Sequence, residues 1–107
     1  MNIPQFQLAL QVPTALFGPR ATLVELEDKI REAIYGIGKI DTTTSNEEEA
    51  DIFISSNDPH RIFRHIKPYL ESFGILDKVQ AAYRRTDDDD YTVIWPTEEV
   101  EDGGMLM

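Results

Sequence analysis

The sequence predicts an α+β fold in two layers, an antiparallel sheet with helices on one side, and three observations carry that prediction. Gln5 to Val12 alternate with period two, with Phe6, Leu8, Leu10 and Val12 on one face and Gln5, Gln7, Ala9 and Gln11 on the other. Two later segments repeat apolar residues at helical spacing instead, and strands rich in β-branched residues lie between and after them. A strand with one largely glutamine face belongs to a sheet whose second side meets water, which sets the number of layers.

After Pro13, Gly18 and Pro19 the period changes. Leu23, Leu26, Ile30, Ala33, Ile34 and Ile37 form one stripe, which predicts a helix over residues 23–35. Thr22 and Glu25 have capping-box spacing, and Gly36 and Gly38 supply the stop. Lys39 to Thr44 and Asp51 to Ser56 are predicted strands, joined by a polar hairpin loop from Ser45 to Glu49. Ile52, Phe53 and Ile54 are apolar on both faces, as a strand in the middle of a sheet requires. Asn57-Asp58-Pro59 starts a second helix, with Asp58 as cap and proline in the first helical position. Ile62, Phe63, Ile66, Tyr69, Leu70 and Phe73 form its inner stripe, Pro68 predicts a kink, and Gly74 ends it. Val79 to Arg85 and Tyr91 to Trp95 are the last two strands, joined by Thr86 to Asp90.

This βαββαβ order with one added strand is that of a ferredoxin-like arrangement, in which the first and third strands are central and both helices share one sheet face. The added C-terminal strand is expected to pair with the edge strand before it. Residues 1–96 are read as a single ferredoxin-like domain. Residues 97–107 are acidic, glycine-containing and aperiodic, and are expected to form a disordered tail dispensable for folding.

Twenty acidic side chains against ten basic ones give a formal charge of −10 over 107 residues. That balance repels phosphate backbones and anionic lipid surfaces, so neither nucleic acid nor membrane is an expected partner. Without cysteine there is no disulfide, thiolate nucleophile or sulfur metal site. No apolar run reaches the ~18 residues of a membrane span, and no signal peptide opens the chain, so a soluble cytoplasmic protein is expected.

The carboxylates are concentrated. Asp41 to Asp58 contains six (Asp41, Glu47, Glu48, Glu49, Asp51, Asp58) and no lysine or arginine. Asp87 to Asp102 contains eight, among them Asp87, Asp88, Asp89 and Asp90, and again no base. Setting aside the four beyond Pro96 leaves −6, so the acidity does not reside in the tail alone. Solvated loops are acidic for solubility alone; concentrated like charge also marks a surface that meets a cationic partner. The candidate partner-binding residues are therefore Asp41, Glu47, Glu48, Glu49 and Asp87 to Asp90. Tyr91 and Trp95 join them as aromatic anchors of the last hairpin, against the alternative that they and Tyr83 are simply packed.

Other chemistries find no support in the residues. Four adjacent aspartates lack the alternation, central glycine and closing glutamate of a calcium loop. His60 and His65 are five apart, not the i, i+4 of two ligands on one helix face. His60, Arg64 and Lys67 form a basic row on the second helix, read as a solvated face; an anion site at that helix start would compete with Asp58. Gly36-Ile37-Gly38-Lys39 ends a helix rather than opening one, so it is no phosphate loop, and there is no nucleophile elbow. RNA-binding domains of similar order stack bases on aromatics of the central strands; here the corresponding face offers Gln5, Gln7 and Gln11, and only Phe53 on the third strand. No metal, cofactor or catalytic residue is expected.

The segments Gly36-Ile37-Gly38-Lys39-Ile40-Asp41, Ala50-Asp51-Ile52-Phe53-Ile54, Lys67-Pro68-Tyr69-Leu70 and Tyr91-Thr92-Val93-Ile94-Trp95-Pro96 carry a resemblance. Over roughly residues 22–96 the chain resembles small acidic bacterial proteins, mostly of unassigned function, some similar to immunity partners of secreted toxins. The resembling motifs are structural and transfer no chemistry; they imply a protein-binding role. The expected function is thus a non-enzymatic, immunity-type inhibitor that neutralises a basic toxin domain through acidic loops. The alternative is a small-molecule-binding regulatory domain acting as a dimer.

Overall fold

The computed structural model of the chain describes residues 5–14, 20–46 and 48–96. The alternating segment is β1 (Phe6–Pro13), followed by α1 (Arg20–Ile34), β2 (Gly38–Ser45), β3 (Glu49–Ser56), α2 (Pro59–Ser72), a 3-10 turn at Leu76–Lys78, β4 (Gln80–Arg85) and β5 (Thr92–Trp95). All five strands form one antiparallel sheet in the order β2-β3-β1-β4-β5. β1 and β3 are interior, and β5 extends the sheet beyond β4.

Register explains the burial. Leu8, Leu10 and Val12 stand opposite Ile54, Ile52 and Ala50, and all six are buried. On the other side of β1, Leu10 pairs with buried Ala81. These residues make up the core face of the sheet. Leu26, Ile30 and Ile34 of α1 and Ile62, Phe63, Ile66 and Leu70 of α2 complete the same cluster, so the helical spacing read in the sequence is the spacing of the core. The intervening strand residues form the second face. There Thr42, Phe53, Ala9, Ala82 and Val93 stand side by side, one from each strand.

Local chemistry sets the ends. Asp58 Oδ1 accepts the Arg61 N–H at 3.1 Å and caps α2, with Pro59 in the first turn. Gly36 (φ 87°) and Gly74 (φ 75°) turn the chain after each helix in the left-handed conformation. Ser56, the buried polar residue, accepts the Asp58 N–H at 2.9 Å and donates to the Ile37 carbonyl at 3.2 Å, joining the end of β3 to the turn before β2.

Some boundaries differ from expectation. α1 begins at Arg20, so Thr22 lies in its first turn and is not the cap. β2 and β3 run on into the polar segment, leaving a connection of residues 46–48, because backbone pairing continues where side-chain hydrophobicity stops. Val79 precedes β4 and is held in the core by the 3-10 turn. α2 continues through Pro68 to Ser72. The expectations for residues 15–19 and for the tail at 97–107 lie outside the described residues, as does Glu47.

Candidate functional site

The two acidic hairpins lie at opposite ends of the sheet. Glu49 pairs with Pro13 at the end of β1, whereas Arg85, which enters the other hairpin, pairs with Phe6 at its start. An eight-residue strand spans about 25 Å, so the tips are separated by at least that distance and lie diagonally across the sheet. The sequence concentrates the carboxylates in two runs; the fold keeps the two hairpin tips apart, while Asp58, just past Ser56 opposite Phe6, lies at the β4–β5 end.

The β2–β3 tip is built by backbone and amide groups. Asn46 Oδ1 accepts the N–H groups of Glu48 at 2.7 Å and Glu49 at 2.9 Å, an Asx turn. Thr14, just past β1, donates its N–H to the Glu48 carbonyl at 3.0 Å and its hydroxyl to the Asn46 carbonyl at 3.2 Å. None of these bonds uses a glutamate carboxylate. Glu48 is exposed and Glu49 half-buried at the first position of β3.

The β4–β5 tip is organised by Arg84. Its guanidinium Nη1 is shared among the carbonyls of Arg85 (3.1 Å), Thr86 (3.3 Å) and Asp88 (2.9 Å), while Nη2 donates to Gln7 Oε1 at 3.1 Å. A planar fork with several donors can hold a curled backbone this way; a lysine ammonium lacks that geometry. Thr86 N–H closes the loop against the Gln5 carbonyl at 2.9 Å. Asp87 pairs with Arg85 Nε at 3.2 Å, and that hydrogen bond, with the guanidinium charge, lowers its pKa below the ordinary 3.8. Asp88 Oδ1 accepts the Asp90 N–H at 3.2 Å. Among the described residues no base stands within ion-pair distance of Asp88, Asp89 or Asp90.

The other candidates are scattered. Asp41 sits at a bulge in β2 and accepts the Ser55 hydroxyl on the second face. Tyr91 is 46% exposed at the β4–β5 tip. Trp95 is turned to the fold instead: the register shift at Ala81/Ala82 lets it and Ile94 both pack on the core side. Its indole N–H donates to the Leu76 carbonyl at 2.8 Å, its ring lies 5.8 Å from Phe63, and Lys67 Nζ sits 4.8 Å above it.

The basic residues of α2 divide in two. His60 packs edge-on against Tyr83 at 5.2 Å and Lys67 covers Trp95, while Arg61 and Arg64 are exposed. The Asp58 carboxylate already occupies the Arg61 N–H, which leaves that helix start with one donor fewer for an anion. Open grooves lie among the described residues. One of about 360 Å³ is lined by Glu71, Gly74, Leu76, Asp77 and Trp95; another, of about 310 Å³, lies between the end of α1 and β2, beside Arg31, Tyr35 and Lys39. Neither lining contains a histidine, serine or threonine. Among the described residues no group of three or more histidine and carboxylate side chains could hold a metal ion, and no helix is long and apolar enough to cross a membrane.

Arg84 and Asn46 were not legible as functional positions. Asn46 had a local signal, an asparagine two residues before an amide it can accept; Arg84 had none, because its acceptors are set by the path of the loop. No protein-family model matches the chain, and no curated protein matches it in sequence.

Proposed function

We propose that this protein is a non-enzymatic protein-binding module, an immunity-type inhibitor that binds and neutralises a basic toxin domain in the bacterial cytoplasm. One observation carries the reading. Both acidic tips are held in shape by hydrogen bonds that leave the carboxylates of Glu48, Glu49, Asp89 and Asp90 unused: Asn46 and Thr14 build one through amide and carbonyl groups, and Arg84 the other chiefly through carbonyls. Charge displayed on an ordered loop accelerates encounter with a cationic surface and costs little ordering on binding. The separation of the tips suits either one broad basic surface or a partner that engages a single tip. The resemblance over residues 22–96 points the same way.

The arrangement we propose is ferredoxin-like, with a fifth strand added and both helices on the core face. Its support is the order of the first four strands and the shared core cluster of α1, α2 and the core-face residues.

The test begins with capture and identification of the cognate protein from the source cells, followed by stopped-flow association with the purified pair. Changing Glu47, Glu48 and Glu49 to Gln, or Asp87 to Asp90 to Asn, keeps shape and removes charge. At least one set is expected to slow association about tenfold, and raising salt until the Debye length reaches about 8 Å is expected to lower the on-rate more than the off-rate. Wild-type rates and an unchanged salt response in both variants would refute the reading.

A further inference from the structure

We propose that the acidic segment Glu98–Asp102 folds back along α2 and supplies the carboxylates that Arg61, Arg64 and Lys67 lack in the described part of the chain. The inference stands apart from the toxin-binding reading. Two observations carry it: uncompensated cations on one helix, and the point at which the chain leaves the sheet. Elsewhere the bases are engaged. Arg31 pairs with Asp28, Lys78 with Asp77 and Arg85 with Asp87, while Arg84 holds the β4–β5 loop. Arg61, Arg64 and Lys67 stand three residues apart on α2, and among the described residues no carboxylate lies within ion-pair distance of them. In a chain with twenty acids and ten bases, such a row is the exception.

Trp95, the last residue of β5, ties the exit of the chain to that helix. Its ring lies 5.8 Å from Phe63 and 4.8 Å from Lys67 Nζ, and exposed Pro96 follows it. The chain therefore leaves the sheet beside the row of cations. Glu98 is three residues past Trp95, a reach of up to about 10 Å, and Asp102 seven residues past it, up to about 25 Å. Arg61 to Lys67 spans about 9 Å along the helix axis, and Glu98 to Asp102 spans about 13 Å when extended. The carboxylates of Glu98, Glu99, Glu101 and Asp102 can thus cover the whole row. Neighbouring charge sets the direction. Glu71 and Asp77 line the groove beside Trp95 and repel the segment there, and Asp58 stands at the start of α2, so the attraction centres on Arg64. Lys29 and Lys39 belong to α1 and β2, and β2 is the sheet edge farthest from β5.

Exposed ion pairs are weak singly. Here the covalent connection makes each of them intramolecular, at an effective concentration on the order of millimolar, so several weak pairs suffice to hold the segment. The contact adds little to folding, and deleting the residues after Pro96 is expected to leave Tm within a few degrees of the full chain. What it does is close the α2 face to anionic molecules, which must displace the segment to bind there.

The chain has no cysteine, so a nitroxide attached to Gly103→Cys labels a single position. Paramagnetic broadening of the amide resonances of the full chain, read at about 0.05 and 0.5 M salt, tests the contact. The amides of Arg61 to Lys67 are expected to broaden at the lower salt and to lose at least half of that broadening at the higher, where charges are screened within a few ångströms. Arg61→Glu with Arg64→Glu, both exposed, is expected to remove it to the same degree with circular dichroism unchanged. Adding Glu98→Lys, Glu99→Lys, Glu101→Lys and Asp102→Lys to that background is expected to restore it. Broadening equal at both salts and in the charge-reversed variant overturns the proposal, because a segment merely tethered nearby gives that result. Broadening that arises only when label and amide lie on different molecules overturns it too, since the cations then meet a second copy.

Discussion

Gly38 opens β2 beneath the first turns of α2, and replacing it with alanine tests how tightly helix and sheet are joined. A Cβ built there lies 2.5 Å from Ile62 Cδ1 and 3.1 Å from the Ser55 carbonyl oxygen. Carbon atoms in favourable contact are about 3.5–4.0 Å apart, so the Ile62 methyl must retreat by at least about 1 Å. Ile62 is fully buried, and the core around it has little room to receive that shift. Overpacking of this kind costs about 1–3 kcal/mol, against which alanine recovers about 0.4–1 kcal/mol by restricting the unfolded chain. The net expectation for Gly38→Ala is a loss of about 1–2 kcal/mol, lowering Tm by roughly 4–16 °C for a domain of this size. Ile62→Val removes the clashing methyl itself, at about 0.5–1.5 kcal/mol when made alone. The double variant is therefore expected to be more stable than the sum of the singles by about 1 kcal/mol, with the 3.1 Å approach to Ser55 left as the residual cost. Urea unfolding of the four proteins, with equal m-values, measures the cycle. Additivity within about 0.3 kcal/mol, or a neutral Gly38→Ala, would refute the close approach as the reason glycine stands there.

Trp95→Phe keeps the ring packing on Phe63 but removes the donor to the Leu76 carbonyl, so it is expected to cost about 1–2 kcal/mol in urea unfolding while leaving partner association unchanged; a wild-type midpoint with slowed association would restore Trp95 as a binding anchor. Asp87, held by Arg85, is expected to titrate below 3.8 in an NMR pH series, and Arg85→Gln to return it toward that value. The sign follows from linkage: the favourable pairing is complete above the ordinary pKa and is lost as pH falls through the lowered one. The pair is solvent-exposed, so the effect belongs to the titration and not to Tm, and an Asp87 titration unmoved by Arg85→Gln would show that the pair does not form in solution.

Much of the architecture was legible because it is written in short-range periods. Leu8, Leu10 and Val12 are buried at every second position and Leu26, Ile30 and Ile34 at helical spacing, as the residue pattern implied. Asp58 caps α2 and Gly74 turns the chain after it, both through chemistry contained within a few residues. The expected breaks were less accurate where composition and pairing disagree, as at the polar ends of β2 and β3, since a backbone ladder tolerates side chains that no strand pattern favours.

The sequence by itself determined the α+β class, the antiparallel hairpins, the core stripes and the concentration of negative charge, because each depends on neighbours within a turn or a strand. Only the tertiary structure decided where that charge points. The two acidic hairpin tips lie at opposite ends of β1 because Pro13 pairs with Glu49 and Phe6 with Arg85, and such registers join residues tens of positions apart. The same non-local geometry turned Trp95 inward onto α2, gave Arg84 the carbonyls of a loop to hold, and aligned Phe53, Ala9, Ala82 and Val93 in one row. A period along the chain specifies which face a side chain joins; only the pairing of strands specifies what stands beside it.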